Sequence, residues 1–175
     1  VAANYGDIGD DAVDLSYSNS ASTTRGATGD YSIAMGSFTE ASGSYSTAMG
    51  YLTTAGYGST AMGRSTSATG NSSTAMGDGT TASGFFSTAM GYSTEASSGF
   101  STAMGQSTTA SGISSTAMGA STKASDYGSL VIGQYNSSGS TVTNSATVFN
   151  SANTAFVIGN GVDGSNTSDA FKVLF

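Results

Sequence analysis

The sequence predicts an all-β protein in which 14-residue coils stack into a parallel β-solenoid, or β-roll. Two observations lead to this prediction: a tripeptide that recurs at a fixed spacing, and a composition too poor in large apolar residues for an ordinary globular core. Leu, Ile, Val and Phe together occupy only 25 of the 175 positions. A chain of that composition stays disordered unless regular long-range order supplies the missing burial.

The recurring tripeptide is Ala-Met-Gly, which contains all seven Met residues of the chain. Val131-Ile132-Gly133 continues the series in substituted form. The closing glycines are 14 residues apart, except for one interval of 13, and they are Gly36, Gly50, Gly63, Gly77, Gly91, Gly105 and Gly119. A fixed period of this length indicates a repeat architecture in which each unit stacks on its neighbours.

Strand geometry gives each coil its expected shape. Fourteen residues at about 3.3 Å each span about 46 Å, enough for two strands of about five residues and two tight corners. A helix is disfavoured because each recurring Gly costs about 1 kcal/mol relative to Ala in a helix interior. The single 13-residue interval falls at Ala55-Gly56-Tyr57. We expect it in a corner, because a deletion inside a strand would turn every following side chain to the other face.

Alternation along Ser-Thr-Ala-Met-Gly places Ser and Ala on one face of a strand and Thr and Met on the other. We expect the small face inside the coil and the Met column outside, as an apolar stripe typical of an interface between chains. The alternative is that Met fills the interior of a monomer. The candidate interface or core stripe consists of Met35, Met49, Met62, Met76, Met90, Met104 and Met118.

Aromatic residues gather at the corner before the Met-containing strand. They define a candidate surface-contact ladder of Tyr31, Tyr45, Tyr57, Phe86, Phe100 and Tyr127. Stacked rings at this position would brace the edge of the coil, which is the favoured interpretation, or would present a ladder to a ligand.

Composition excludes several function classes. The chain has no His and no Cys, which excludes Ser-His-Asp and Cys-His catalysis, Cys/His zinc sites and disulfides. The repeat carboxylates Glu40, Asp78, Glu95 and Asp126 stand in different columns, so no glycosidase pair is expected. Four Lys and Arg against eleven Asp and Glu leave a net charge of −7, which disfavours nucleic acid as a partner. We expect neither an enzyme nor a cofactor.

Three regions follow from the pattern: an acidic N-terminal cap at 1–26, the repeat at 27–133 and a C-terminal transition at 134–175. The four Asp of the cap would either bind Ca²⁺ or form a solvated acidic surface. The absence of EF-hand spacing favours the solvated surface. In the transition we expect an inserted loop or hairpin at 134–154 and one more coil at Phe156-Val157-Ile158-Gly159, before a closing strand. No run approaches the about 18 apolar residues of a membrane span, and the chain reads as a segment of a longer protein.

The unit Ser-Thr-Ala-Met-Gly, followed by x-Ser-Thr-x-Ala-Ser-Gly over about residues 27–133, resembles the head repeat of YadA-like trimeric autotransporter adhesins. Ser87, Ala89 and Gly91 stand at the small positions of that family, whereas Thr88 and Met90 replace its usual Val or Ile. The resemblance implies a left-handed β-roll, a homotrimer, and an extracellular head on a stalk at the bacterial surface, anchored in the outer membrane outside this segment. The C-terminal transition also resembles that of phage tail fibres, so the alternative location is a tail fibre of a phage virion.

The expected function is therefore a non-enzymatic adhesin or fibre head that attaches to cells, matrix proteins, glycans or surfaces. Low apolar content independently indicates oligomerisation, since a narrow roll has little core of its own. The alternative is an ice-binding solenoid that orders water on stacked Thr. Its two Thr columns would be Thr47, Thr60, Thr74, Thr88, Thr102 and Thr116, and Thr53, Thr66, Thr80, Thr94 and Thr108.

Overall fold

The computed structural model describes residues 7–19 and 22–175, which form a parallel β-solenoid of about eight coils built from two sheets. The larger sheet contains β1 (Val13–Tyr17), β3 (Ile33–Ser37), β5 (Thr47–Tyr51), β7 (Thr60–Arg64), β9 (Thr74–Asp78), β11 (Thr88–Tyr92), β13 (Thr102–Gln106), β15 (Thr116–Ala120), β17 (Leu130–Gln134), β18 (Thr154–Asn160) and β19 (Asp169–Leu174). The smaller sheet contains β2 (Gly26–Ala27), β4 (Glu40–Ala41), β6 (Thr54–Ala55), β8 (Ser67–Ala68), β10 (Thr81–Ala82), β12 (Glu95–Ala96), β14 (Thr109–Ala110) and β16 (Lys123–Ala124).

The two strands of a coil are unequal, so the expectation of two five-residue strands was wrong for one of them. Each repeat has one strand of five residues and one of two. The reason is that the corners consume residues. Between β7 and β9 the chain passes twice through left-handed backbone, at Ser65 (φ 53°) and Ser72 (φ 54°), which leaves room for only the two-residue strand β8.

Register is kept across the short interval of the repeat. Thr47 pairs with Thr60, and Ala55 pairs with Ala68, so the columns on both sides of the deletion stay aligned. The missing residue lies between β6 and β7, in the corner at 56–59. This confirms that the deletion falls in a corner, where it changes no strand face.

Small side chains fill the interior between the two sheets, as the alternation predicted. Fully buried Ala from both sheets form one cluster, which Val131 and Val157 extend at the C-terminal end. Buried Ser and Thr columns complete the interior, with Ser87 and Thr80 as representative members. The narrow coil therefore has a core, but one made of methyl groups and hydroxyls rather than large aliphatic side chains.

The glycine after each Met is required by the stacking itself. Gly91 has φ +124°, and a Cβ added there would lie 2.1 Å from the carbonyl oxygen of Gly105 in the next coil. The same approach recurs at Gly63 and Gly77. Because only a residue without a Cβ fits such a backbone, the glycine of Ala-Met-Gly is a geometric necessity.

Parallel stacking extends beyond the repeat at both ends. In the region expected to be a cap, β1 pairs with β3 in register, with Val13 opposite Ile33. At the other end β18 pairs in parallel with β17 and adds one more strand to the stack, with Val157 opposite Val131. The strand β19 then runs antiparallel along the edge of the sheet. Within residues 7–19 and 22–175 no helix is long and apolar enough to cross a membrane.

Candidate functional site

The outer face of the larger sheet carries the predicted Met column. Pairing places each Met directly above the next, from Met35 through Met118. Their side chains are partly exposed and lie outside the buried Ala cluster, with Met35 36% exposed. The structure therefore places the Met column on the surface of the single chain, and the alternative that Met fills the interior of a monomer is wrong.

The Met column continues into larger apolar residues at both ends. Leu15 precedes it, 65% exposed, and Ile132 and Ile158 follow it in the same register. Beside it runs a second outward column, in which Ile33 and Leu130 stand at the two ends of a row of Thr. At about 4.8 Å per strand, the ten parallel strands β1 to β18 carry a stripe about 43 Å long and about 7 Å wide. We call this two-column surface the outer stripe.

The two Thr columns of the ice-binding alternative do not lie on one surface. Thr47 to Thr116 belong to the outer stripe, whereas Thr53 to Thr108 are fully buried inside the coil. The buried column shares the inward face of the short strands with Ala82 and its equivalents, because Thr80 and Ala82 are two residues apart. The remaining outward Thr column lies beside the Met column, so the described residues form no flat plane of Thr, and the structure does not support the ice-binding alternative.

The predicted aromatic ladder is divided between two neighbouring columns. Tyr31, Tyr45, Phe86 and Phe100 occupy the left-handed corner position, with φ between 54° and 62°. Tyr57 instead stands in the preceding column, since the amide of Ser72 in the next coil donates to the Tyr57 carbonyl, as the amide of Phe86 does to that of Asn71. Tyr127 falls in that preceding column too, and its amide donates to the carbonyl of Ser145 in the C-terminal segment. The six residues therefore do not form one ladder.

Two exposed aromatic clusters replace the expected ladder. In the first, the rings of Tyr31 and Tyr45 stack 5.2 Å apart, and Tyr57 meets Tyr45 edge to face at 6.2 Å. In the second, Phe86 and Phe100 stack 5.5 Å apart, and Phe85 meets Phe100 at 4.8 Å. The polar corner of Ser72 separates them. Contacts of this kind stabilise neighbouring coils, which is what the bracing interpretation requires.

Comparison with known proteins agrees with these coils. The model of the YadA head domain repeat, which spans two copies of the repeat, matches residues 27–53, 55–80, 82–108 and 110–136. Those four stretches cover 107 of the 175 residues. The chain belongs to the YadA head-repeat family. No curated protein matches the chain.

The acidic residues that precede the YadA head repeats are dispersed. Asp7, Asp10 and Asp11 are exposed, and the backbone amide of Asp10 donates to the Asp30 carboxylate at 3.1 Å. Over the described ranges, no three acidic side chains come together in a group able to hold a metal ion. A solvated acidic surface stays the prediction for this region.

In the last YadA head coil, Asp126 has a structural role that the sequence pattern did not reveal. Asp126 is fully buried, and its carboxylate accepts the amides of Thr143 at 2.6 Å and Thr154 at 2.8 Å. Burial raises the pKa of Asp126, but the hydrogen bonds from Thr154 and Thr143 outweigh it and hold the pKa below its usual value. The signal in the sequence was an Asp where most other units have Gly and one has Ser98.

Asn136 closes the smaller sheet of the YadA head. Its side-chain oxygen accepts the amide of Lys123 at 2.8 Å, and its side-chain nitrogen donates to the Lys123 carbonyl at 2.9 Å. The amide group therefore occupies the place that the next short strand would have taken beside β16. Asn occurs often in turns and loops, so nothing in the local sequence marked this role.

Proposed function

We propose that this chain is a left-handed β-roll that assembles as a homotrimer and serves as the adhesive head of a longer surface protein. The observation that carries the proposal is the outer stripe. It is continuous over ten parallel strands and consists of Met, Thr and larger apolar residues, and no element among the described residues covers it. An exposed apolar surface of this length is typical of a protein interface.

The interior supports the same conclusion. A core of Ala, Ser and Thr buries little apolar area per residue, because these side chains have fewer carbon atoms than Leu or Val. Three copies packed through their outer stripes would add the Met side chains to the buried surface. Oligomerisation is a common source of stability for chains with so small a core.

Attachment through a trimer needs no deep pocket. Three identical chains present the same outward corners, and the effective concentration of the second and third sites raises avidity even when each contact is weak. We propose an extracellular position for the head, at the tip of a stalk on a bacterial cell surface or on a phage fibre. We also propose that it acts by binding and not by catalysis, in keeping with a chain that has neither His nor Cys.

The solution mass of the chain tests the trimer. Light scattering should give about three times 17.2 kDa. Met90→Asp places a charge in the middle of the outer stripe and should shift the mass to that of one chain, because a buried unpaired carboxylate costs several kcal/mol. Thr81→Asp is the matched control, since Thr81 is equally half-exposed but lies on the smaller sheet, where Glu40 and Glu95 are native. A wild-type chain that stays monomeric at micromolar concentration contradicts the proposal.

Attachment is tested separately. Beads coated with the trimer should adhere to cell monolayers or to surfaces coated with matrix protein, and beads coated with the monomeric Met90→Asp chain should adhere far less, because avidity is lost. Equal adhesion of both kinds of bead would separate attachment from trimerisation and contradict the valency mechanism.

A further inference from the structure

A cleft of about 460 Å³ lies where the C-terminal segment packs against the last coils. It was not among the sites expected from the sequence, because its lining comes from four separate stretches of the chain. The lining side chains are mainly hydroxyls, together with one ammonium group, and they include Ser107, Ser121, Lys123, Tyr135, Ser140 and Thr167. The cleft is therefore polar, with a single positive charge.

The floor of the cleft is rigidly built. Asn136 also lines it, is only 2% exposed, and holds the backbone of Lys123 through both the amide and the carbonyl. A second hydrogen bond from its side-chain nitrogen reaches the Ser138 carbonyl at 2.7 Å. The hydrogen-bonding capacity of Asn136 is thus used within the protein, and the backbone that carries Lys123 is positioned before any ligand arrives.

Lys123 is a cation available to a ligand. It forms no ion pair within the part of the chain that the structure describes, whereas Arg64 is paired with Asp78. The acid nearest in sequence to the lining residue Gly164 is Asp163, whose carboxylate accepts hydrogen bonds from the backbone amides of Ser165 and Asn166 and from the Asn166 side chain. Glu95 shares the column of Lys123 but is two strands away, about 9.6 Å along the stack.

We propose that this cleft binds a carboxylated sugar unit of a glycan. Lys123 pairs with the carboxylate, the Ser and Thr hydroxyls bond the ring hydroxyls, and the half-buried Tyr135 offers apolar surface to the sugar ring. A cleft lined by one cation, in a chain of net charge −7, suits a monoanion better than a phosphate dianion. The proposal rests on the attachment function for its biological role, while binding to the cleft is measured without any attachment assay.

The test is titration of the whole chain with methyl glucuronide, with methyl glucoside as the uncharged counterpart and inorganic phosphate as the alternative anion. Isothermal titration calorimetry or ligand-observed NMR should detect the glucuronide and not the glucoside. Lys123→Thr should weaken glucuronide binding about tenfold or more, because a hydrogen bond to a charged group is lost. Lys123→Arg, which keeps the charge, should retain most of the affinity.

Matched variants separate the cleft from general effects of charge and folding. Lys172→Thr removes one positive charge from the exposed strand β19 and should leave binding unchanged. Ser107→Leu should block the cleft, and Ser65→Leu, at the same corner position in a distant coil, should not. The fold accepts Leu at this corner, since Leu52 adopts φ 54° there, close to the 55° of Ser107. Circular dichroism checks that every variant stays folded.

The result that supports the proposal is glucuronide binding that is weakened by Lys123→Thr and Ser107→Leu but not by their two controls. Three results overturn it: no glucuronide binding at millimolar concentration, equal binding of glucoside and glucuronide, or tighter binding of phosphate than of glucuronide. A trimer that adheres to cells yet binds no glucuronide would overturn this site and leave the attachment function standing. A chain that binds glucuronide but adheres to no surface would do the reverse.

Discussion

The repeated coils from Thr47 to Ala120 and the segment that follows them satisfy the same backbone groups in different ways. In the repeat each short strand finds its partners in the next coil, as when the amide of Ser67 donates to the Thr80 carbonyl at 2.9 Å. The strand β16 has no following short strand, and there the side chain of Asn136 provides both partners for Lys123. Coils can repeat the same sequence wherever a neighbouring coil supplies the hydrogen-bond partners. The end of the stack needs side chains that occur only there.

The same contrast holds for the corners and the interior. In the repeat one corner position is occupied almost always by Gly, whereas the last unit has Asp126 there, buried and bonded to two backbone amides of the C-terminal segment. The inward column that holds Ala through the repeat holds Val131 and Val157 at the end. The end of the solenoid is thus held by particular side chains, and the repeat by backbone geometry.

The largest effect expected from this contrast is at a glycine of the repeat. Gly91→Ala puts a Cβ 2.1 Å from the Gly105 carbonyl oxygen on a backbone with φ +124°, so we expect a loss of about 4 kcal/mol or more in the free energy of unfolding. Thermal and denaturant unfolding followed by circular dichroism measure it. Gly79→Ala is the control, at a corner with φ +64° where the added Cβ would lie 3.6 Å from the Ser93 hydroxyl oxygen, and should cost about 1 kcal/mol. Equal losses at both positions would contradict the account of the stacking.

The next effect is at the buried carboxylate of the end. Asp126→Ala leaves the amides of Thr143 and Thr154 without their acceptor, and we expect the free energy of unfolding to fall by about 2 to 5 kcal/mol. Denaturant unfolding measures this loss. Asp30→Ala, which removes an exposed carboxylate at the first coils, should cost less than about 1 kcal/mol.

The same residue makes a prediction for pH. Because the pKa of Asp126 is lowered in the folded chain, its contribution to stability is present above the unfolded pKa, near 3.8, and is lost as pH falls through the folded pKa. Acidification below about pH 4 should therefore destabilise the wild-type chain more than Asp126→Asn, as unfolding curves at several pH values would show. Parallel curves for the two chains would count against a lowered pKa.

A smaller effect is expected at the amide that closes the short sheet. Asn136→Ala removes both hydrogen bonds to the Lys123 backbone and should lower the free energy of unfolding by about 1 to 3 kcal/mol. Asn136→Asp keeps the acceptor but turns its second, buried oxygen toward the carbonyls of Lys123 and Ser138, so it should cost at least as much as the Ala variant. Hydrogen exchange at Lys123 gives a local measurement, since its amide should lose protection in Asn136→Ala alone.

The smallest effect belongs to the interior of the repeat. The Thr80 hydroxyl is buried, with no hydrogen-bond partner in the structure. Thr80→Val keeps the shape and removes that polar group, so the free energy of unfolding should rise by about 1 kcal/mol. Thr88→Val on the outer stripe is the control and should change the stability of one chain by less than about 0.5 kcal/mol. A clear loss in Thr80→Val would mean that the hydroxyl is bonded after all.

Much of the fold was predictable because the same local pattern is repeated. The period, the parallel stacking, the inward Ser and Ala, and the deletion in the corner at 56–59 all followed from spacing and alternation, and the structure confirms them. The strand lengths were harder. Ser is not a residue type that marks a left-handed backbone, so Ser65 and Ser72 gave no sign of it. The number of residues taken up by corners was therefore underestimated.

The aromatic residues show why a site is harder to predict than a fold. Tyr57 and Tyr45 look equivalent in sequence, but the one-residue deletion shifts Tyr57 into the neighbouring column. The outward direction of the Met column was predicted correctly from alternation, and its role as a trimer interface stays a prediction. The position of a residue in the sequence was enough to predict which face of a sheet it occupies. It was not enough to predict which column of a corner it belongs to.

The sequence by itself determined the repeat, the small interior and the outward Met column, because each depends on residues only a few positions apart and recurs in every coil. Tertiary structure alone decided how the stack ends. Asp126 reaches Thr154, Asn136 reaches Lys123, and Thr167 faces the same cleft as Ser107. These contacts join residues that are up to 60 positions apart and occur once, so they leave no period to detect, and only the path of the folded chain brings them together.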